Sequence, residues 1–106
     1  MSDLQPQIYE IIDLESAKEF LKTCNEPVIL TNPRDSTRYY GMRVLGFMFK
    51  ELTKEFPDTI SKVIVNVGDD NAALFTAIKL GYKNINYNGE SEEARMILKK
   101  FGIIKD

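Results

Sequence analysis

The sequence predicts a parallel α/β fold in which four, and with a short C-terminal addition five, strands alternate with four helices. Three observations carry this. Short β-type runs alternate with helix-type runs along the chain. The helix-type runs begin at capping residues and end at Asn, Gly or Pro. Strands separated by helices pair in parallel through right-handed crossovers. The 106 residues make one domain, 1–106, because two halves would each be too small to hold a core.

The elements follow in order. Residues 8–12 (IYEII) read as the first strand. Asp13 offers an N-cap oxygen to a helix over 14–24, whose Leu14, Ala17, Phe20, Leu21 and Cys24 share one face. Asn25 suits its left-handed end, and Pro27 blocks continuation. Residues 28–31 (VILT) form the second strand and 32–36 (NPRDS) a loop. A long helix spans 37–56 and stops at Pro57. Residues 62–67 form the third strand, Gly68 to Asp70 a turn, and 71–80 a helix stopped by Gly81. Residues 84–87 (NINY) form the fourth strand. Ser91 caps a last helix over 92–101, stopped by Gly102, and Ile103–Ile104 add a short fifth strand.

Strand composition bears on sheet order. Val28 to Leu30 and Val63 to Val65 are continuous apolar runs, as strands covered on both faces should be. Strands one and four carry Glu10, Asn84 and Asn86, and read as edges. A doubly wound three-layer sandwich, helices on both faces, is the preferred arrangement. The alternative is the sequential order 1-2-3-4 of half a (β/α)8 barrel, whose bare face needs a partner.

Composition excludes several chemistries. Fourteen basic and sixteen acidic residues leave a net charge of −2. A nucleic-acid coat or an anionic-membrane binder needs a basic surplus, so neither partner is expected. The chain has no His. That removes Ser-His-Asp and Cys-His nucleophile systems and His-based zinc sites. One Cys allows neither an internal disulfide nor a CxxC pair. Cys24, on an apolar helix face near a C-terminus, is expected to be a buried, inert thiol. The acidic, polar start MSDLQPQ lacks the features of a signal peptide, and no apolar run approaches a membrane span. A cytoplasmic protein without a cofactor is the expectation.

Chemistry, if present, falls at the carboxyl ends of the strands, where parallel sheets bind ligands. Asn32, Arg34, Asp35, Ser36, Gly68, Asp69, Asp70, Asn71 and Gly89 converge on that rim. One reading is a site for a small anionic ligand, resting on Arg34 and Arg38 beside free helix N–H groups, with Arg34 as its strongest anchor. The other is that Asp, Asn, Ser and Gly are what caps and turns require anyway. No phosphate-binding glycine motif appears, and adjacent Asp69 and Asp70 point apart, so no metal site is expected.

The long helix adds a second candidate. At about 100° per residue, Gly41, Met42, Val44, Leu45, Met48, Phe49, Leu52 and Phe56 fall in one core-facing arc, with Gly41 allowing close approach to the sheet. Tyr40 and Phe47 lie nearly opposite, among Arg43, Lys50 and Lys54. Aromatics rimmed by cations suit a protein contact, although lysine and arginine stems can also cover them. Antiparallel pairing of this helix with its mate, making a homodimer, is the expectation.

The stretch VIVNVGDDNAALFTAIKLGYKNINYNG (63–89) resembles a βαβ segment of small uncharacterised bacterial α/β proteins of about a hundred residues, and also resembles a quarter repeat of a (β/α)8 barrel. The resemblance implies a parallel α/β fold and transfers no catalytic residue. Two functions remain. One is a non-catalytic interaction module that self-associates. The other is a small enzyme or anion binder using the rim.

Overall fold

The capping chemistry forms as the sequence implies. In a computed structural model describing residues 7–105, the Asp13 carboxylate accepts the Ser16 backbone N–H at 2.7 Å and opens α1 (Leu14–Lys22). Asp70 and Ser91 do the same for α4 (Asn71–Lys79) and α5 (Glu92–Lys100), accepting from Ala73 and Ala94. The N-terminal stretch 1–6 lies outside the described residues.

The strands are β1 (Gln7–Glu10), β2 (Val28–Thr31), β3 (Ile60–Gly68), β4 (Asn84–Tyr87) and β5 (Ile104–Lys105). All pair in parallel, in the order β1-β2-β3-β4-β5. The expected parallel α/β alternation holds, but the order is the sequential one. β4 is therefore an interior strand rather than an edge. Right-handed crossovers between successive neighbours put every helix on the same face. Helix contacts agree: α1 touches α3 (Met42–Glu55), α3 touches α4, and α4 touches α5. The doubly wound arrangement thus gives way to two layers, a sheet and one helix sheath.

Side-chain alternation shows why. Val28, Leu30, Val65, Val67, Ile85 and Tyr87 are buried beneath the helices. Their neighbours Thr31, Asn66, Asn84 and Asn86 are half-buried on the other face, together with Ile29 and Ile64, and Lys62 there is exposed. Neighbouring strands shield those two isoleucines laterally, so a continuous apolar run did not require two covered faces.

The long helix divides. α2 (Ser36–Tyr40) and α3 are separated by Gly41, whose φ of 84° and ψ of 146° break the helix. A Cβ at Gly41 would meet nothing within 4 Å, so this glycine serves backbone conformation and not close approach. The close approach belongs to Gly46, where a Cβ would lie 3.1 Å from Leu80 Cδ1. Behind the break, Met42, Leu45, Met48, Phe49 and Leu52 bury as expected, Phe56 half-buries, and Val44 stays 49% exposed instead of joining the core. Cys24 is half-buried rather than buried, and its thiol donates to the Phe20 carbonyl at 3.3 Å.

Candidate functional site

The rim assembles where the strand ends require it, and most of its side chains bond to one another. Asn32 is fully buried. Its amide donates to the Asn66 carbonyl at 2.7 Å and accepts the Asn66 N–H at 2.8 Å, continuing the β2–β3 ladder with a side chain. The same amide donates to Ser36 Oγ, which donates to the Pro33 carbonyl. Asp70 caps α4 and also accepts from the Thr37 hydroxyl. Asn71 accepts the Tyr87 hydroxyl at 2.6 Å. Gly89 lies over Tyr87, where a Cβ would run into the phenol. Gly68 turns the chain out of β3, with its N–H on the Asn66 side chain.

Of the two rim arginines, Arg38 holds the ion pairs. Its guanidinium reaches Asp69 at 2.9 Å and Asp35 at 3.2 Å. The Arg38 hydrogen bond holds the Asp69 carboxyl below its usual range, and Asp69 in turn raises Arg38. All three are solvent-exposed, so the network contributes little to stability. Arg34 is exposed and has no ion pair among the described residues. Arg38 lies in the field of Asp35, Asp69 and Asp70, and Arg34 in that of Asp69. That balance is poorly suited to an anion. Among the described residues no three acidic or thiol groups gather to hold a metal ion, and no helix is long and apolar enough to cross a membrane.

A larger concavity lies elsewhere. A groove of about 800 Å³ runs along α3 and is closed on its far side by the α4–β4 turn. Its walls include Arg43, Phe47, Lys50 and Lys54 from α3 and Leu80, Gly81 and Tyr82 from the turn. Phe47 is 58% exposed and Leu80 41%. Tyr82 packs edge-on to Phe49, with ring centroids 6.0 Å apart. Arg43, Lys50 and Lys54 form no ion pair with any described residue, and no carboxylate lines the groove. Thus Arg43, Phe47 and Lys50 of the expected contact stripe share one groove. Tyr40, 44% exposed, lies instead on a smaller groove of about 380 Å³ with Thr37 and Asp70. Of the rim set, Asp70 alone lines either groove. Sequence reading missed Gly46, Leu80 and Tyr82, because a turn well downstream of α3 in the chain announces no partner. The signal that was available is the pair Gly46–Phe47, a small residue beside a large exposed one.

Burial raises the Tyr82 phenol above the ordinary tyrosine range. A group with a raised folded pKa supports the fold below the unfolded pKa, and that support is lost as pH climbs past it. Stability is therefore expected to fall as pH rises above about 10. Tyr82→Phe should flatten that decline in urea melts at successive alkaline pH values. Equal slopes for the two proteins would contradict it.

An uncharacterised protein of Rickettsia prowazekii (strain Madrid E) is 55% identical to the chain over 92 residues, covering 87% of each. The chain belongs to that protein's family. No family model and no solved structure matches the chain. The likeness to small bacterial proteins read from residues 63–89 thus extends, for this rickettsial relative, over most of the sequence.

Proposed function

We propose that the protein is a non-catalytic interaction module whose working surface is the outward face of α3. The observation that carries this is the groove beside Phe47: an exposed aromatic ring between unpaired cations, over an apolar floor. Interface cores favour aromatic and arginine side chains in this setting. The rim supports a ligand site less well, because its amides, hydroxyls and carboxylates already cap helices, bridge strands or pair with Arg38. The absence of His adds to this, since acid–base work would fall to groups without one tuned near neutrality.

Charge pattern bears on whether a second copy is the partner. On α3, Arg43, Lys50 and Lys54 flank one side of Phe47, and Val44, Glu51 and Glu55 flank the other. A twofold axis perpendicular to the helix, which makes the mates antiparallel, sets each cation flank against the same flank of its mate. Like charges would then meet across the seam. Antiparallel self-pairing is therefore not part of the proposal, which takes a different protein as the partner.

Photo-crosslinking tests the reading. A benzophenone amino acid replaces Phe47 in one variant and Arg34 in another, each expressed in the native host. Adducts with other proteins are expected from position 47 and not from position 34. Adducts from position 34 alone, or none from position 47, overturn the proposal.

A further inference from the structure

The groove also specifies the chemistry of what it takes. We infer that it docks an acidic amphipathic helix of a partner protein, an inference that rests on the interaction-module reading above. Arg43, Phe47, Lys50 and Lys54 follow one another at spacings of four, three and four. That is the spacing of a helix–helix seam, along which a second helix packs. From Arg43 to Lys54 the seam rises about 16 Å at 1.5 Å per residue, room for three turns of a partner. The opposite wall, Leu80 to Tyr82, supplies apolar surface for the partner's hydrophobic stripe.

The charges set the partner's sign. Three cations line the seam without ion pairs among the described residues, and no carboxylate is present in the lining to offset them. The surrounding protein carries a net negative charge. A local cationic strip on an acidic chain attracts an acidic segment and repels a basic one. A partner helix with leucines facing Phe47, Leu80 and Tyr82, and glutamates on its flanks, meets both features. Phe47, 58% exposed, sits midway along the seam as its anchor.

Fluorescence anisotropy with two labelled peptides tests this on the full chain. One has about fourteen residues, four turns, with leucine at helical spacing and glutamate elsewhere. The other replaces every glutamate by lysine. The acidic peptide is expected to bind at least about tenfold more tightly, since like-charge contacts penalise the wrong partner by 1.4 kcal/mol or more per tenfold. The double variant Lys50→Glu, Lys54→Glu should invert that preference while its urea melt stays close to wild type, both lysines being exposed. Phe47→Ala should weaken the acidic peptide on the wild-type charge background. Equal affinity for both peptides, lost in Phe47→Ala, refutes the acidic partner and leaves the interaction surface standing. No binding by either peptide, together with silent crosslinks at position 47, sinks both. A wild-type dimer abolished by Phe47→Glu makes a second copy the occupant and refutes the inference. So does tighter binding by an oligouridylate than by the acidic peptide.

Discussion

Replacing Asn32 by leucine is expected to destabilise the protein by about 3 kcal/mol. Leucine keeps the branched outline of asparagine but is bulkier, so no cavity opens and the loss combines missing hydrogen bonds with some overpacking. Asn32 is fully buried. Its amide oxygen takes the Asn66 N–H, and its amide nitrogen serves the Asn66 carbonyl and the Ser36 hydroxyl. Leucine leaves the Asn66 N–H and carbonyl without these partners beside an apolar side chain. Each buried polar group left unmade costs roughly 1–3 kcal/mol. Urea unfolding reads the difference, with native-state hydrogen exchange at the Asn66 amide as a local check. A loss below about 1 kcal/mol, or an unchanged exchange rate at Asn66, would mean that the bridge is ornamental.

Gly41→Ala should cost about 2 kcal/mol, although the site has open space. The reason is conformational. With φ at 84° and ψ at 146°, Gly41 occupies backbone territory nearly closed to residues with a Cβ. No neighbour stands within 4 Å of an added methyl group, so packing neither helps nor hurts. The sign of the effect separates two structures. In a single helix through 37–56, alanine would replace an interior glycine and add up to about 1 kcal/mol of stability. In the broken helix it must strain. Thermal or urea melts of the one variant therefore decide whether α2 and α3 are distinct, and a stabilised Gly41→Ala protein would mean that they are continuous.

That break marks one boundary of what the sequence made legible. The apolar spacing runs through Gly41 without a skip, so periodicity alone joins α2 to α3. Only the positive φ separates them. The consequence reaches the core, because Val44 fits the buried arc of a continuous helix and is exposed in the broken one. By contrast β2 and β4 have the bounds read from VILT and NINY, because turn residues with local chemistry flank them. Strand order was harder. Asn84 and Asn86 suit an edge strand, yet β4 is interior. The polar residues of β4 share a face with Glu10, Thr31, Lys62 and Asn66. Taken together across strands they describe an uncovered sheet face, a pattern that no single four-residue run displays.

The rim was legible as a place and not as a set of bonds. Asp70 and Asn32 sit at strand ends as the turn chemistry implies. Which oxygen each one meets depends on residues more than thirty positions away. The same holds for Arg38, whose reach to Asp69 spans two βα units. The stripe on α3 was legible because its residues belong to one helix. The wall opposite was not, since Leu80 and Tyr82 arrive through tertiary packing.

The sequential strand order also governs how the chain can be built. Each strand finds its partner in the unit just before it: Ile8 beside Ile29, Leu30 beside Val63, Val65 beside Ile85. No strand must be inserted between two that are already paired. A chain leaving the ribosome N-terminus first can lay β2 against β1, cover the seam with a helix, and present a finished edge to β3. Growth by addition at one edge resembles that of stacked repeats, in which each new unit is stabilised by its neighbour. It keeps loop closure short at every step, and short closures favour fast assembly.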